Sequence, residues 1–385
     1  MITSALSGQL AKSIQHVRPR QPAADQEFVG ELYRQMQSDF MAGPVLTLHS
    51  PAPEVMAGVW SILRETLLTG EVERASKEAV AATVSKLNEC PFCVDAHTAL
   101  LHATGDHEVA SAIFRGDFAK VRDPQLGALV QWALTNQMAR QSSAPPFAEA
   151  EAPEILGTAF AFHYVNRMVN VFLGDTTLLP LPAALMGVTR RVMGATLGKL
   201  LVRPLQPGRS LQFVPQARLP EAFSWARPSR TVAGALAGFA SVIEEAGRMA
   251  LPEPVRCLVQ EQVQAWPGAA LGMGRRWVEE AVGGLEVAER PAARLALLTA
   301  LASYQVDPRI IADFQAYEPD DGQLIRATAW ASFTAAQRAI SWITAPFVIN
   351  SRYAAPAAPS AVERALTTQP SVEACVTAVI KEGKE

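Results

Sequence analysis

Apolar residues recur at spacings of three and four along most of the chain from about Gln26 onward. Val59, Ile62, Leu63, Thr66 and Leu67 form one stripe, Val80, Val84 and Leu87 a second, and Leu126, Leu129, Val130, Ala133 and Leu134 a third. That period gathers side chains on one face of an α-helix. Helix punctuation falls between the stripes: Pro51 and Pro53 open one segment, Gly70 closes it, and Asp123-Pro124 opens another. No run alternates with the period of two that a half-buried strand requires. The stretch Ala150 to Leu173 predicts one long, largely buried helix. The expected fold class is all-α.

The pattern divides the chain into a polar N-terminal arm (1–25), a helical domain (26–177), a linker rich in Pro and Gly (178–220) and a second helical domain (221–385). Ala144-Pro145-Pro146 interrupts the first domain. The linker holds a basic amphipathic piece with Arg190, Arg191, Lys199 and Arg203, read as a solvated helix face. The second domain is expected to be helical from about Pro228 to Trp342, with a short closing helix from Ala361 to Lys381. A shift of 216 residues superposes Glu73-Arg74 on Glu289-Arg290, Thr83 on Thr299 and Ala96 on Ala312. The two domains therefore read as tandem copies of one ancestral unit.

Composition narrows the function. Of 385 residues 49% are hydrophobic, enough for packed cores, and the net charge of −3 advertises neither nucleic acid nor an anionic membrane as partner. No stretch of about 18 residues is uninterruptedly apolar; the nearest, Leu178 to Val202, contains Arg190, Arg191 and Lys199. Residues 1–26 lack an apolar run of signal-peptide length. The expected location is the reducing cytoplasm, where a close cysteine pair is catalytic or metal-binding more often than structural.

Four cysteines are present, and two of them form Cys90-x-x-Cys93. Pro91 suits a first helical turn and Asn88 a cap, so the pair would sit at a helix N-terminus, whose dipole favours the reactive thiolate. His97 lies one turn beyond Cys93 on the same face and is positioned as a base. Glu78 precedes Cys90 by twelve residues and reaches His97 if the two helices pack antiparallel, which would complete a Glu–His–Cys proton relay. Two cysteines, a histidine and a carboxylate are also adequate zinc ligands, but one helix presents them in poor tetrahedral geometry. His102 is expected on the surface of the same helix. His163 and Arg167, one turn apart in an apolar stretch, are candidate pocket residues.

The run Glu78-x11-Cys90-x2-Cys93-x3-His97 resembles the active-site signature of the AhpD-type alkylhydroperoxidases, a group related to carboxymuconolactone decarboxylases. Ser85, Asn88, Leu101 and Gly105 agree with the family pattern. The strong similarity covers residues 76–105, and a weaker one covers roughly 28–175, including Phe162-His163-Tyr164-Val165-Asn166-Arg167. The resemblance implies an AhpD-like helical bundle assembled as a homo-oligomer, with 221–385 as a degenerate second copy. On the 216-residue register Cys90, Cys93 and His97 fall on Val306, Arg309 and Asp313, so that copy lacks the thiols. The implied activity is thiol-dependent reduction of hydroperoxides without metal, haem or flavin. Cys93 would be the peroxidatic thiol, Cys90 the resolving thiol, and Glu78 and His97 the proton shuttle; a dithiol or lipoyl-type protein would be the electron donor. The alternatives are a non-enzymatic redox switch and a lactone decarboxylase-like lyase. Phe92 stands between the cysteines where some members carry a polar ring.

Overall fold

The computed structural model describes residues 13–20, 27–135, 144–173 and 203–351, the last seven of these by backbone alone. Every regular element among the described residues is helical. The first half contains α1 (Glu27–Asp39), α2 (Pro44–Thr47), α3 (Pro53–Leu63), α4 (Arg74–Leu87), α5 (Pro91–Thr104), α6 (His107–Arg115), α7 (Pro124–Leu134) and α8 (Ala152–Phe172). The second contains α9 (Arg230–Ala250), α10 (Glu253–Ala265), α11 (Arg276–Ala281), α12 (Arg290–Leu301), α13 (Pro308–Gln315) and α14 (Asp321–Ser351). The helices begin where the sequence places its stop and start signals. Pro occupies the first turn of α3, α5 and α7, and the Asp123 carboxylate accepts from the Leu126 N–H at 2.8 Å to cap α7.

Two long helices, α8 and α14, pack against each other at the centre. On the α8 side lies α4, backed by α5 and α7; on the α14 side lies α12, backed by α10 and α13. A second pair, α3 and α9, covers this layer, with α9 also seated on α14. Every residue of α8 is buried, as its unbroken apolar run predicts. Gly247 allows α9 its close seat: a Cβ there would fall 2.2 Å from the Trp330 ring on α14. Phe160, Phe223, Phe239 and Phe333 meet edge to face, so one continuous core draws on both halves.

Two buried charge clusters brace the first half. Arg64 pairs with Asp39 and Glu65, each at 2.8 Å. Glu65 in turn accepts from Ser210 Oγ at 2.6 Å and from the Gly208 N–H at 2.7 Å, which ties residues 208–210 to the turn that follows α3. Lys77 on α4 pairs with Glu154 on α8. Superposing the halves at 216 residues places the start of α4 on the start of α12, Arg74 on Arg290. Most of the basic linker piece (178–202) and the predicted helix 361–381 lie outside the described residues; Arg203 donates to the Ser38 carbonyl at 2.8 Å. No described helix is long and apolar enough to cross a membrane.

Candidate functional site

The site is built on the α4–α5 hairpin. Asn88 ends α4, with its N–H returned to the Val84 carbonyl, rather than capping α5 as its residue type suggested. Glu89 adopts φ +52°, the left-handed conformation, and the chain doubles back there. The Cys90 N–H closes the turn on the Ser85 carbonyl at 3.0 Å. Cys90 thereby takes the N-cap position of α5, Pro91 the first helical position, and Cys93 the first turn. The helix ends at Gly105, whose φ of +97° needs glycine's freedom. The tight turn makes α4 and α5 antiparallel and brings Glu78 across to His97.

Glu78 is fully buried and held at both oxygens. Arg74 Nε, one turn earlier on α4, donates to Oε1 at 2.6 Å, and His97 Nδ1 donates to Oε2 at 2.6 Å. Burial works to raise the Glu78 pKa, but Arg74 and then His97, by charge and hydrogen bonding, outweigh it and bring it below its usual value. Glu78 is therefore an anion, and an anion at Oε2 requires the proton on His97 Nδ1. In the neutral ring the other nitrogen, Nε2, then carries the lone pair. The Phe162 ring meets the imidazole edge to face, with centroids 4.4 Å apart.

Cys90 and Cys93 are both buried free thiols. Cys93 lies beside Cys90 and the side chain of Asn166 on α8. Burial, and then the neighbouring Cys90 sulfur, push the Cys93 thiol well above its ordinary pKa; the Asn166 amide opposes them. The helix position had suggested an easily formed thiolate. Desolvation reverses that expectation, and the resting Cys93 is a neutral thiol. Among the described residues no three His, Cys, Asp or Glu side chains gather as metal ligands.

Behind the thiols runs a directional chain of hydrogen bonds. Ser85 Oγ donates its one proton to the Ala81 carbonyl at 2.7 Å, so it must accept from Asn166 Nδ2 at 3.0 Å. Asn166 Oδ1 then accepts from Asn88 Nδ2 at 3.0 Å, and the same Asn88 amide donates to His163 Nδ1 at 3.2 Å. Asn170 Nδ2 donates to the Asn88 carbonyl at 3.0 Å and to Ser303 Oγ at 3.1 Å. Arg167 Nε donates to the Ala300 carbonyl of α12 at 2.8 Å. The structure thus brings Glu78 and His97 together, sets Cys90 beside Cys93, and links His163 to Cys93 through Asn88 and Asn166. Arg167 lies beside His163 in a cavity between the halves. His102, expected at the surface, is buried, with Nδ1 3.0 Å from His107 Nδ1. Sequence reasoning missed Arg74 and Asn166. Arg74 was findable, standing four residues before Glu78 on the same helix face. For Asn166 the available signal was a polar side chain within an apolar run.

Among the described residues the chain is a helical bundle that carries two buried free thiols and a carboxylate–imidazole pair on one helical hairpin. No protein-family model matches the chain. Alkyl hydroperoxide reductase Rv2159c of Mycobacterium tuberculosis is 37% identical to it over 335 residues, covering 87% of this chain and 96% of that protein. The chain belongs to the AhpD-type alkylhydroperoxidase family.

Proposed function

We propose that the protein reduces organic hydroperoxides through Cys93 and Cys90, with His97 and Glu78 as proton relay. The observation that supports this most directly is His97 itself. It is fixed by Glu78 with Nδ1 protonated and Nε2 free, one helical turn from a buried pair of free thiols. A neutral, desolvated thiol needs a base, and the neutral His97 ring offers Nε2 as one on the same helix face.

In this reading His97 takes the Cys93 proton as the sulfur attacks the hydroperoxide. The S–O bond forms and the O–O bond breaks. The alcohol leaves with the proton, and Cys93 becomes a sulfenic acid. The Cys90 sulfur then displaces water from Cys93, giving the Cys90–Cys93 disulfide. An external dithiol, small or carried on a lipoyl-type protein, returns two electrons and two protons by exchange. No cofactor takes part. We place the reaction in the cytoplasm, where dithiol donors are maintained, and in a homo-oligomer, as the family resemblance implies.

The test is steady-state consumption of a small organic hydroperoxide with a dithiol donor, by wild type and Cys93→Ser in parallel. Turnover lost in Cys93→Ser, with one stoichiometric oxidation left in Cys90→Ser, is the expected result. Full activity in Cys93→Ser would overturn the assignment of roles. A wild type that oxidises once and does not turn over would be a redox switch instead.

A further inference from the structure

The thiol chemistry does not use the cavity on the far side of the asparagine chain. It lies where α4 and α8 of the first half meet α12 and α14 of the second, and encloses about 50 Å³. His163 and Arg167 form its floor; Trp266, Trp342 and Tyr304 stand around it. The two indoles meet at a tilt, their planes 57° apart and their centroids 5.4 Å apart, and the Arg167 guanidinium carbon lies 5.9 Å from the Trp266 ring centroid.

The charge balance of this cavity is uneven. Arg167 is only 5% exposed, yet it forms no ion pair among the described residues; it donates to the Ala300 and His163 carbonyls. Bracing two carbonyls does not require a positive charge, and burying one without a counter-ion is costly. Outside the lining, Arg338 stands behind Trp342, its guanidinium carbon 5.5 Å from that ring centroid and its Nε buried without a hydrogen-bond partner. The one carboxylate in the lining is Glu89, exposed at the rim and in no ion pair with Arg167.

His163 supplies a second donor. Because Asn88 Nδ2 donates to its Nδ1, the neutral ring carries its proton on Nε2. Burial, and then the Arg167 charge, lower its pKa to about 3, so the ring is neutral at working pH. Nε2 is buried, has no hydrogen-bond partner, and belongs to a side chain that is 2% exposed and lines the cavity. A guanidinium without a counter-ion and an N–H without a partner thus line the same cavity. Buried polar groups in native proteins are ordinarily satisfied, and the missing group here is an anion.

We propose that this cavity binds a small aromatic carboxylate, its carboxylate received by Arg167 and His163 Nε2–H and its ring covered by Trp266 and Trp342. The volume accommodates the head group, not a whole extended molecule, so the ring lies toward the indoles at the mouth. This site is separate from the thiols and goes beyond the peroxidase reading.

Benzoate is the probe and benzamide its uncharged isostere, each titrated calorimetrically into the full chain without peroxide. Expected are saturable benzoate binding, binding of benzamide weaker by about tenfold or more, and loss of benzoate binding in Arg167→Met. Trp342→Leu should weaken it as well, and decides the matter should Arg167→Met not fold. Equal binding of benzoate and benzamide, unaltered binding in Arg167→Met or Trp342→Leu, or no saturable benzoate binding at millimolar concentration would each overturn the proposal. The titration needs no turnover, so inactivity toward peroxide with intact benzoate binding would count against the thiol chemistry alone.

Discussion

Glu78 on α4 and His97 on α5 meet at 2.6 Å, and this contact decides which imidazole nitrogen faces away from the carboxylate. Replacing Glu78 by Gln keeps the shape but removes the charge that makes an imidazolium favourable. Peroxide turnover is expected to fall by roughly two orders of magnitude, the usual scale for losing base assistance. The same change strands Arg74. Because Glu78 titrates below its usual value of 4.5, its stabilisation is present above that pH and is lost as pH falls through its folded pKa. Acid unfolding of wild type and Glu78→Gln should therefore converge below pH 4.5 and diverge above it. Parallel curves across that range would remove the Glu78 charge from the stability of the site.

The Cys93 thiol is raised, and the direction is measurable. Thiolate absorbance should stay near baseline through neutral pH, with the Cys93 contribution appearing only above its ordinary value of 9.0. The Cys90 sulfur is the second cause of the shift, so Cys90→Ser should move the remaining titration downward. A wild-type thiolate already present at pH 7 would mean that the helix terminus outweighs burial.

Asn166 is the group that works against burial at Cys93. Asn166→Ala should slow single-turnover oxidation by about tenfold, the value of one hydrogen bond to a developing charge. Asn166→Asp is nearly isosteric but sets an acceptor, and a negative charge, beside the sulfur. It should be the slower of the two. Asn166→Asp matching wild type in a stopped-flow peroxide pulse would show that the amide proton is unimportant.

Much of this was legible from spacing alone. The apolar run Ala150 to Leu173 became α8 at Ala152–Phe172, because a segment apolar on every face has nowhere to lie but the centre of a bundle. Glu78 and His97 met because a turn as short as Asn88–Cys90 leaves α4 and α5 antiparallel. The direction of the thiol shift was not legible, since desolvation depends on what closes over Cys93, and that is α8 arriving from some seventy residues further along the chain. Asn88 was misjudged for a similar reason: the turn tightened around Glu89 and gave the cap position to Cys90. His102 looked solvent-facing on its own helix, but α6 folds back over it and His107 meets its ring.

A buried ion pair joins α4 to α8, the helix that carries Asn166. Lys77 on α4 pairs with Glu154 near the start of α8, and Glu154 also accepts the Glu71 N–H at 2.9 Å and the Val72 N–H at 3.2 Å. Lys77 is 2% exposed, so removing its partner leaves a cation with no route to water. Glu154→Ala should cost about 3 kcal/mol in chemical unfolding, within the range for breaking a buried pair from one side. The double change Lys77→Met with Glu154→Gln removes the stranded charge and keeps an acceptor for one of the two N–H groups. It should recover most of the loss, because desolvating two charges offsets much of what the pair contributes. A double variant as unstable as Glu154→Ala would mean that the ion pair itself, rather than the avoidance of a buried lone charge, holds the two helices together.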